Sequence, residues 1–186
     1  MTEHWQESKA WSDRFIPHAQ QLLGLTCIGV AAIDQDRKEN TDLMFEVGWQ
    51  RIAVRIRRLE QRLAFNRRNE ITLRFDRRSG AETELAKLMN GWGDCFLYGW
   101  GDEASGQIRA YTLLDLHQLR GWLFQYLLTY QRLPSPVMPD RDGSASFLPL
   151  CLDCMPGEIL RRRVTLLPSD PPITDLHWRQ SHAPAA

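Results

Sequence analysis

Two short runs limit this chain more than anything else in it. In RIAVRIRR, Arg51–Arg58, the residues Ile52, Val54 and Ile56 share one side, and Ala53, Arg55 and Arg57 share the other. In EITLRFD, Glu70–Asp76, Ile71, Leu73 and Phe75 alternate with Thr72 and Arg74. A period of two is the mark of a strand with unlike faces. Each run therefore predicts a strand with an apolar side and an arginine side. The pattern places both arginine sides on one face of one sheet.

The segments around these runs complete an α/β reading. Leu43, Phe45, Val47 and Trp49 alternate in the same way ahead of Arg51, with Gly48 as a turn or bulge. Three strands so close in sequence predict an antiparallel meander. Upstream, Trp11, Phe15, Ile16, Ala19, Leu22 and Leu23 recur at helical spacing. Pro17 either starts that helix or kinks it, and Gly24 is its stop. LTCIGVAAI follows as a short apolar run. Downstream, Leu85, Leu88 and Met89 fit a helix closed by Gly91 and Gly93. Strands are predicted over 94–100 and 108–114, the first joining the sheet by a crossover. LDLHQLRGWLFQYLLTYQRL carries a broad apolar stripe and predicts the longest helix. After Leu133 the Pro-, Ser- and Asp-rich run reads as a loop, FLPLCLD as a further strand and PGEILRRR as a short helix. The length of 186 residues predicts one domain over 1–167, followed by a Pro-rich, poorly ordered tail over 168–186.

Charge is unevenly spread. The chain is neutral overall, yet Arg51–Arg78 holds ten arginines against Glu60, Glu70 and Asp76. Such a block predicts a surface for a polyanion, or strands whose arginines pair with nearby acids. No apolar run approaches the ~20 residues of a membrane helix. The charged N-terminus lacks a signal core, and four scattered cysteines do not make a disulfide framework. A cytoplasmic location is the expectation.

Several other constellations carry less. Cys151 and Cys154 form one C-x-x-C without a second ligand pair for zinc, and without a βαβ setting for redox chemistry. They read as two small residues at a strand end. GWGDCFLYGWG lacks the spacing of a phosphate loop, so its aromatics read as core. The five histidines show no ordering motif.

The order α-β-β-β-α-β with an acid opening a strand resembles the PD-(D/E)XK restriction-endonuclease-like superfamily. The residues that carry the resemblance are Asp42 in NTDLMF, the strand IAVRIRR, and the helix and strand TELAKLMNGWGDCFLYGW; it covers roughly Trp11 to Trp100. The resemblance implies a central mixed sheet flanked by helices, and Mg²⁺ or Mn²⁺ held by Asp42. It also implies catalytic positions at Arg55 and Arg57, where the family has Glu and Lys. Arginine has no lone pair for a hard cation and does not deprotonate. An intact metal site therefore needs replacement acids, for which Asp34, Asp36 and Glu84 are the candidates. Arg51, Arg55, Arg57 and Arg74 are the candidate phosphate contacts. Three functions follow as expectations. One is a divalent-metal-dependent nuclease with a migrated site. The second is an inactive relative that binds nucleic acid or protein. The third is an interaction protein acting as a homodimer or with another chain.

Overall fold

The computed structural model describes residues 3–23, 27–30, 43–45, 50–60, 69–140 and 142–165, with backbone alone for 3–6, 8, 27–30, 43–45 and 165. The elements are α1 (Glu3–Asp13), α2 (Ile16–Leu23), β1 (Cys27–Val30), β2 (Leu43–Phe45), β3 (Arg51–Arg58) and β4 (Glu70–Arg77). They continue with α3 (Glu84–Met89), β5 (Cys95–Asp102), β6 (Gln107–Asp115), α4 (Leu116–Tyr130), β7 (Met138–Pro139), β8 (Ala145–Cys151) and β9 (Leu160–Thr165). The coarse expectation of a mixed α/β fold holds.

Two sheets organise these elements. The larger has the order β1-β2-β3-β5-β6-β9, and the smaller has the order β4-β8-β7. β3 and β5 run parallel, with Val54 opposite Leu97, and every other neighbouring pair is antiparallel. The expected crossover into β5 is therefore present, and it contains β4 and α3.

The meander is corrected. β2 and β3 do pair antiparallel, Leu43 opposite Ile52. β4 instead leaves the sheet and pairs with β8, Ile71 opposite Leu150. The physical reason is that β3 is buried on both sides. Ile52, Val54 and Ile56 pack under α1 and α2, while Ala53 on the other side belongs to a second core to which β4 also contributes. A β4 alongside β3 would leave that second core uncovered. Stacked over it, β4 buries Ile71 and Leu73 to 1% exposure or less.

β5 lies at the centre of the larger sheet and is buried along almost its whole length. Its near-continuous apolar run suits a strand covered on both faces. Phe96, Tyr98 and Trp100 project to one side as a ladder of edge-to-face rings, with centroids 5.9 and 5.7 Å apart. Cys95, Leu97, Gly99 and Gly101 alternate with them along the strand. A Cβ on Gly101 would lie 2.5 Å from the Phe15 ring, so this glycine is what lets the α1–α2 turn close on the sheet.

Other boundaries follow local chemistry. α1 and α2 are separate, and Pro17 is the second residue of α2, where its missing N–H costs no helical bond. Thr83 caps α3 by accepting the Ala86 amide, and Asp115 caps α4 by accepting from His117 and Gln118. PGEILRRR is corrected from helix to a single 3-10 turn, Gly157–Ile159, followed by β9. Pairing with β6 along Ala110–Leu114 overrides its local preference. The tail over 168–186 lies outside the described residues. Among the described residues, no helix is long and apolar enough to cross a membrane.

Candidate functional site

The two sheets meet along a rim beside β3, and the arginines of the strand patterns converge there. Alternation on β3 turns Arg55 toward the smaller sheet, on the same side as Ala53. Alternation on β4 puts Arg74 opposite Ile71 and Leu73. Both guanidinium groups lie over the Phe147 ring of β8, at 5.7 Å for Arg55 and 5.6 Å for Arg74. α3 begins beside them, and its first residue, Glu84, supplies the counter-charge. The Arg55 guanidinium donates to Glu84 Oε2. The backbone N–H of Arg74 donates to the same oxygen at 3.1 Å. Arg55 and Glu84 side chains are 11% and 21% exposed, so this pair is largely withdrawn from water.

The Thr83 hydroxyl, which caps α3, also donates to the Phe75 carbonyl at 3.3 Å. One threonine thus starts the helix and ties it to β4, which fixes where Glu84 enters the rim. Deeper between the sheets, the Thr72 and Tyr98 hydroxyls share a hydrogen bond of 3.1 Å. These buried polar groups join β4 of one sheet to β5 of the other.

Arg51 goes elsewhere. It opens β3 and meets Asp94, which precedes β5. Asp94 Oδ2 accepts the Arg51 backbone N–H at 2.7 Å, and the guanidinium reaches both carboxylate oxygens at 3.3 Å. The Trp92 ring lies 6.0 Å from the guanidinium carbon. Burial alone would push the Asp94 carboxyl up. The hydrogen bonds and charge of Arg51, with the charge of Arg120, hold it below the ordinary carboxylate range instead. Arg58, at the far end of β3, pairs with Glu103 at 2.7 Å and stacks on Trp11 at 4.2 Å. Arg14 meets the same glutamate and the same indole. That cluster fastens α1 to the edge of the sheet.

The structure therefore brings together Arg55, Arg74 and Glu84 and takes Arg51 to a different partner. Arg57 sits on the Arg55 side of β3, in register with Trp100 of β5. Asp34, Asp36 and Asp42 lie outside the described residues. β2, which begins one residue after Asp42, is the direct neighbour of β3.

Sequence reasoning missed Asp94 and Phe147. In the sequence Asp94 reads only as the first residue of a strand, with no partner assigned to its carboxylate. Phe147 lay on a strand whose partner, β4, had been placed in the other sheet.

The rim can be tested for a hard cation. Mg²⁺ and Mn²⁺ need several converging oxygen ligands. At the rim one carboxylate is in place, and a guanidinium and an amide already occupy its inner oxygen. Among the described residues no cluster of three or more His, Cys, Asp or Glu side chains could hold a metal ion. The described part of the rim does not fit a divalent cation. What it fits is a planar, cationic edge over an aromatic ring. No protein-family model, curated protein or solved structure matches this chain.

Proposed function

We propose that this protein binds nucleic acid along the inter-sheet rim and does not hydrolyse it. The observation that carries the reading is the Arg55–Glu84 pair. On the resemblance to the endonucleases, Arg55 takes the position of a ligand acid. In this chain that position neutralises a carboxylate instead of adding one. A metal ion would have to share Glu84 with a guanidinium that repels it.

The arginine block around the rim supports affinity for phosphates. The segment Arg51–Arg78 carries seven more basic than acidic residues. Arginine suits phosphate through its fixed fork of donors. Arg57 and Arg74 are the proposed phosphate contacts, Arg55 holds the rim in shape, and Phe147 offers a ring on which cationic groups already rest. Binding of this kind depends steeply on salt, because each neutralised phosphate releases condensed counterions.

The test is fluorescence anisotropy of labelled single- and double-stranded oligonucleotides, DNA and RNA, at a series of salt concentrations. A parallel incubation with Mn²⁺ reads cleavage. The reading expects salt-dependent binding, a shallower slope in Arg57→Ala and Arg74→Ala, and intact oligonucleotide. Mn²⁺-dependent cleavage that disappears in Asp42→Ala would instead restore the nuclease with Asp42, Asp34 or Asp36 as its ligands. Absence of any nucleic-acid binding would leave the rim as a protein-binding or purely structural feature.

A further inference from the structure

On the smaller sheet, away from the arginine rim, lies a pair of thiols. Cys151 is the last residue of β8, and Cys154 closes the 3-10 turn Leu152–Cys154 that follows. Both are free, Cys154 exposed and Cys151 half-buried. A 3-10 turn brings side chains three residues apart onto one side, and it advances about 2 Å per residue. Three such steps give roughly 6 Å between α-carbons, inside the range of about 4.4–6.8 Å that a disulfide spans. The Cys154 thiol lies near enough to act on the Cys151 thiol.

We propose that Cys151 and Cys154 form a reversible intramolecular disulfide by exchange with a low-molecular-weight disulfide. The exposed Cys154, as its thiolate, attacks one sulfur of the small disulfide. A mixed disulfide forms on Cys154 and one small thiolate leaves. Cys151 then gives its proton to solvent and attacks Cys154 Sγ, which closes the ring and expels the second small thiolate. The protein loses two electrons and two protons, and the small disulfide becomes two thiols.

The order of attack follows from the surroundings. Burial first, and the neighbouring Cys154 thiol second, push the Cys151 thiol up to about 12. Such a thiol is a poor first nucleophile, since only the thiolate attacks.

The bond would lock a clasp between the sheets. The Leu152 amide donates to the Asn69 carbonyl at 2.7 Å, just ahead of β4. Asp153 accepts from the Asn69 amide at 2.7 Å and from Arg163 of β9 at 2.9 Å. The turn thus touches both sheets at once. Cys95, 1% exposed, is the internal reference that exchange should spare.

The experiment equilibrates the folded full chain in oxidised and reduced glutathione, quenches free thiols by alkylation, and maps peptides by mass. Residues 142–161 form one tryptic peptide containing both cysteines. In the wild type that peptide should become lighter by one pair of hydrogens and resist alkylation until reduced. Cys151→Ser should trap glutathione on Cys154. Cys154→Ser should be modified at Cys151 much more slowly. A wild type that stops at a mixed disulfide on Cys154 overturns the proposal, as does one that keeps both thiols alkylatable in fully oxidised glutathione. Equal rates in the two serine variants overturn the order of attack. The wild-type map decides the main point even if neither variant folds.

Discussion

Replacing Glu84 tests how strongly the rim depends on its central pair. Breaking a buried ion pair from one side costs about 3–5 kcal/mol, because the remaining charge stays desolvated. Exposed pairs cost only about 0.2–1 kcal/mol. With Arg55 11% and Glu84 21% exposed, this pair lies nearer the buried limit without reaching it. About 2 kcal/mol is a reasonable share for the lost pairing. Glu84→Ala also strips the Arg74 amide of its acceptor, worth about 1 kcal/mol more. The total of about 3 kcal/mol corresponds to a melting temperature lower by roughly 6–12 °C in a chain of this size. Glu84→Gln keeps an acceptor for the Arg74 amide and should cost about 2 kcal/mol. Arg55→Met with Glu84→Leu removes both charges and should recover stability to within about 1 kcal/mol of the wild type. Urea denaturation of these proteins, with Arg55→Met and Glu84→Leu as the two single variants, closes the double-mutant cycle. A loss below about 0.5 kcal/mol in Glu84→Ala would put the pair in the class of exposed pairs and refute the reasoning.

Gly101→Ala should cost about 1–3 kcal/mol in urea unfolding, because the new methyl meets the Phe15 ring, and Phe15→Leu in the same background should recover part of that loss. His18 accepts the Ile108 amide on Nδ1 at 2.8 Å, and burial holds its pKa below the ordinary value of about 6.5. The fold favours the neutral ring, so its contribution is complete above that ordinary value and fades as pH falls through the lower folded value. Stability measured from pH 7 to 5 should decline in the wild type and decline less in His18→Asn. For Asp115, burial would raise the carboxyl, but the Arg161 hydrogen bond, the Gln118 and His117 amides and the Arg161 charge hold it low. Its contribution is therefore present above the unfolded value of about 3.9 and is lost as pH falls below it. Asp115→Asn should flatten that acid limb of the unfolding curve.

Much of the local structure was legible in the sequence. The alternation in β3 and β4 showed which residues share a side of each strand, but the expected single arginine face of one sheet is corrected: Arg55 and Arg74 come from different sheets and meet over Phe147. The partner of each strand was not legible. Hydrogen-bonded pairing leaves no mark on a single sequence when the strand is buried on both sides. An Ala53 among arginines reads as an exposed face, whereas here it is buried in the core that the two sheets share. PGEILRRR failed for a related reason. Its leucine and arginines favour helix locally, and the open edge of β6 recruits them as a strand. Glu84 reads in the sequence as a candidate metal ligand, and its role as the counter-ion of Arg55 needed the fold. Cys151 and Cys154 were read as inert because their spacing alone says nothing about the turn that joins them.

The salt dependence of nucleic-acid binding tests the central claim most directly. The logarithm of the association constant, plotted against the logarithm of salt concentration, should fall linearly for the wild type. The slope should become shallower by about one for each of Arg57→Ala and Arg74→Ala. Oligonucleotide recovered from the same samples after Mn²⁺ should be uncut. Binding whose slope is unchanged in both variants, or strand cleavage that depends on Asp42, would contradict the account.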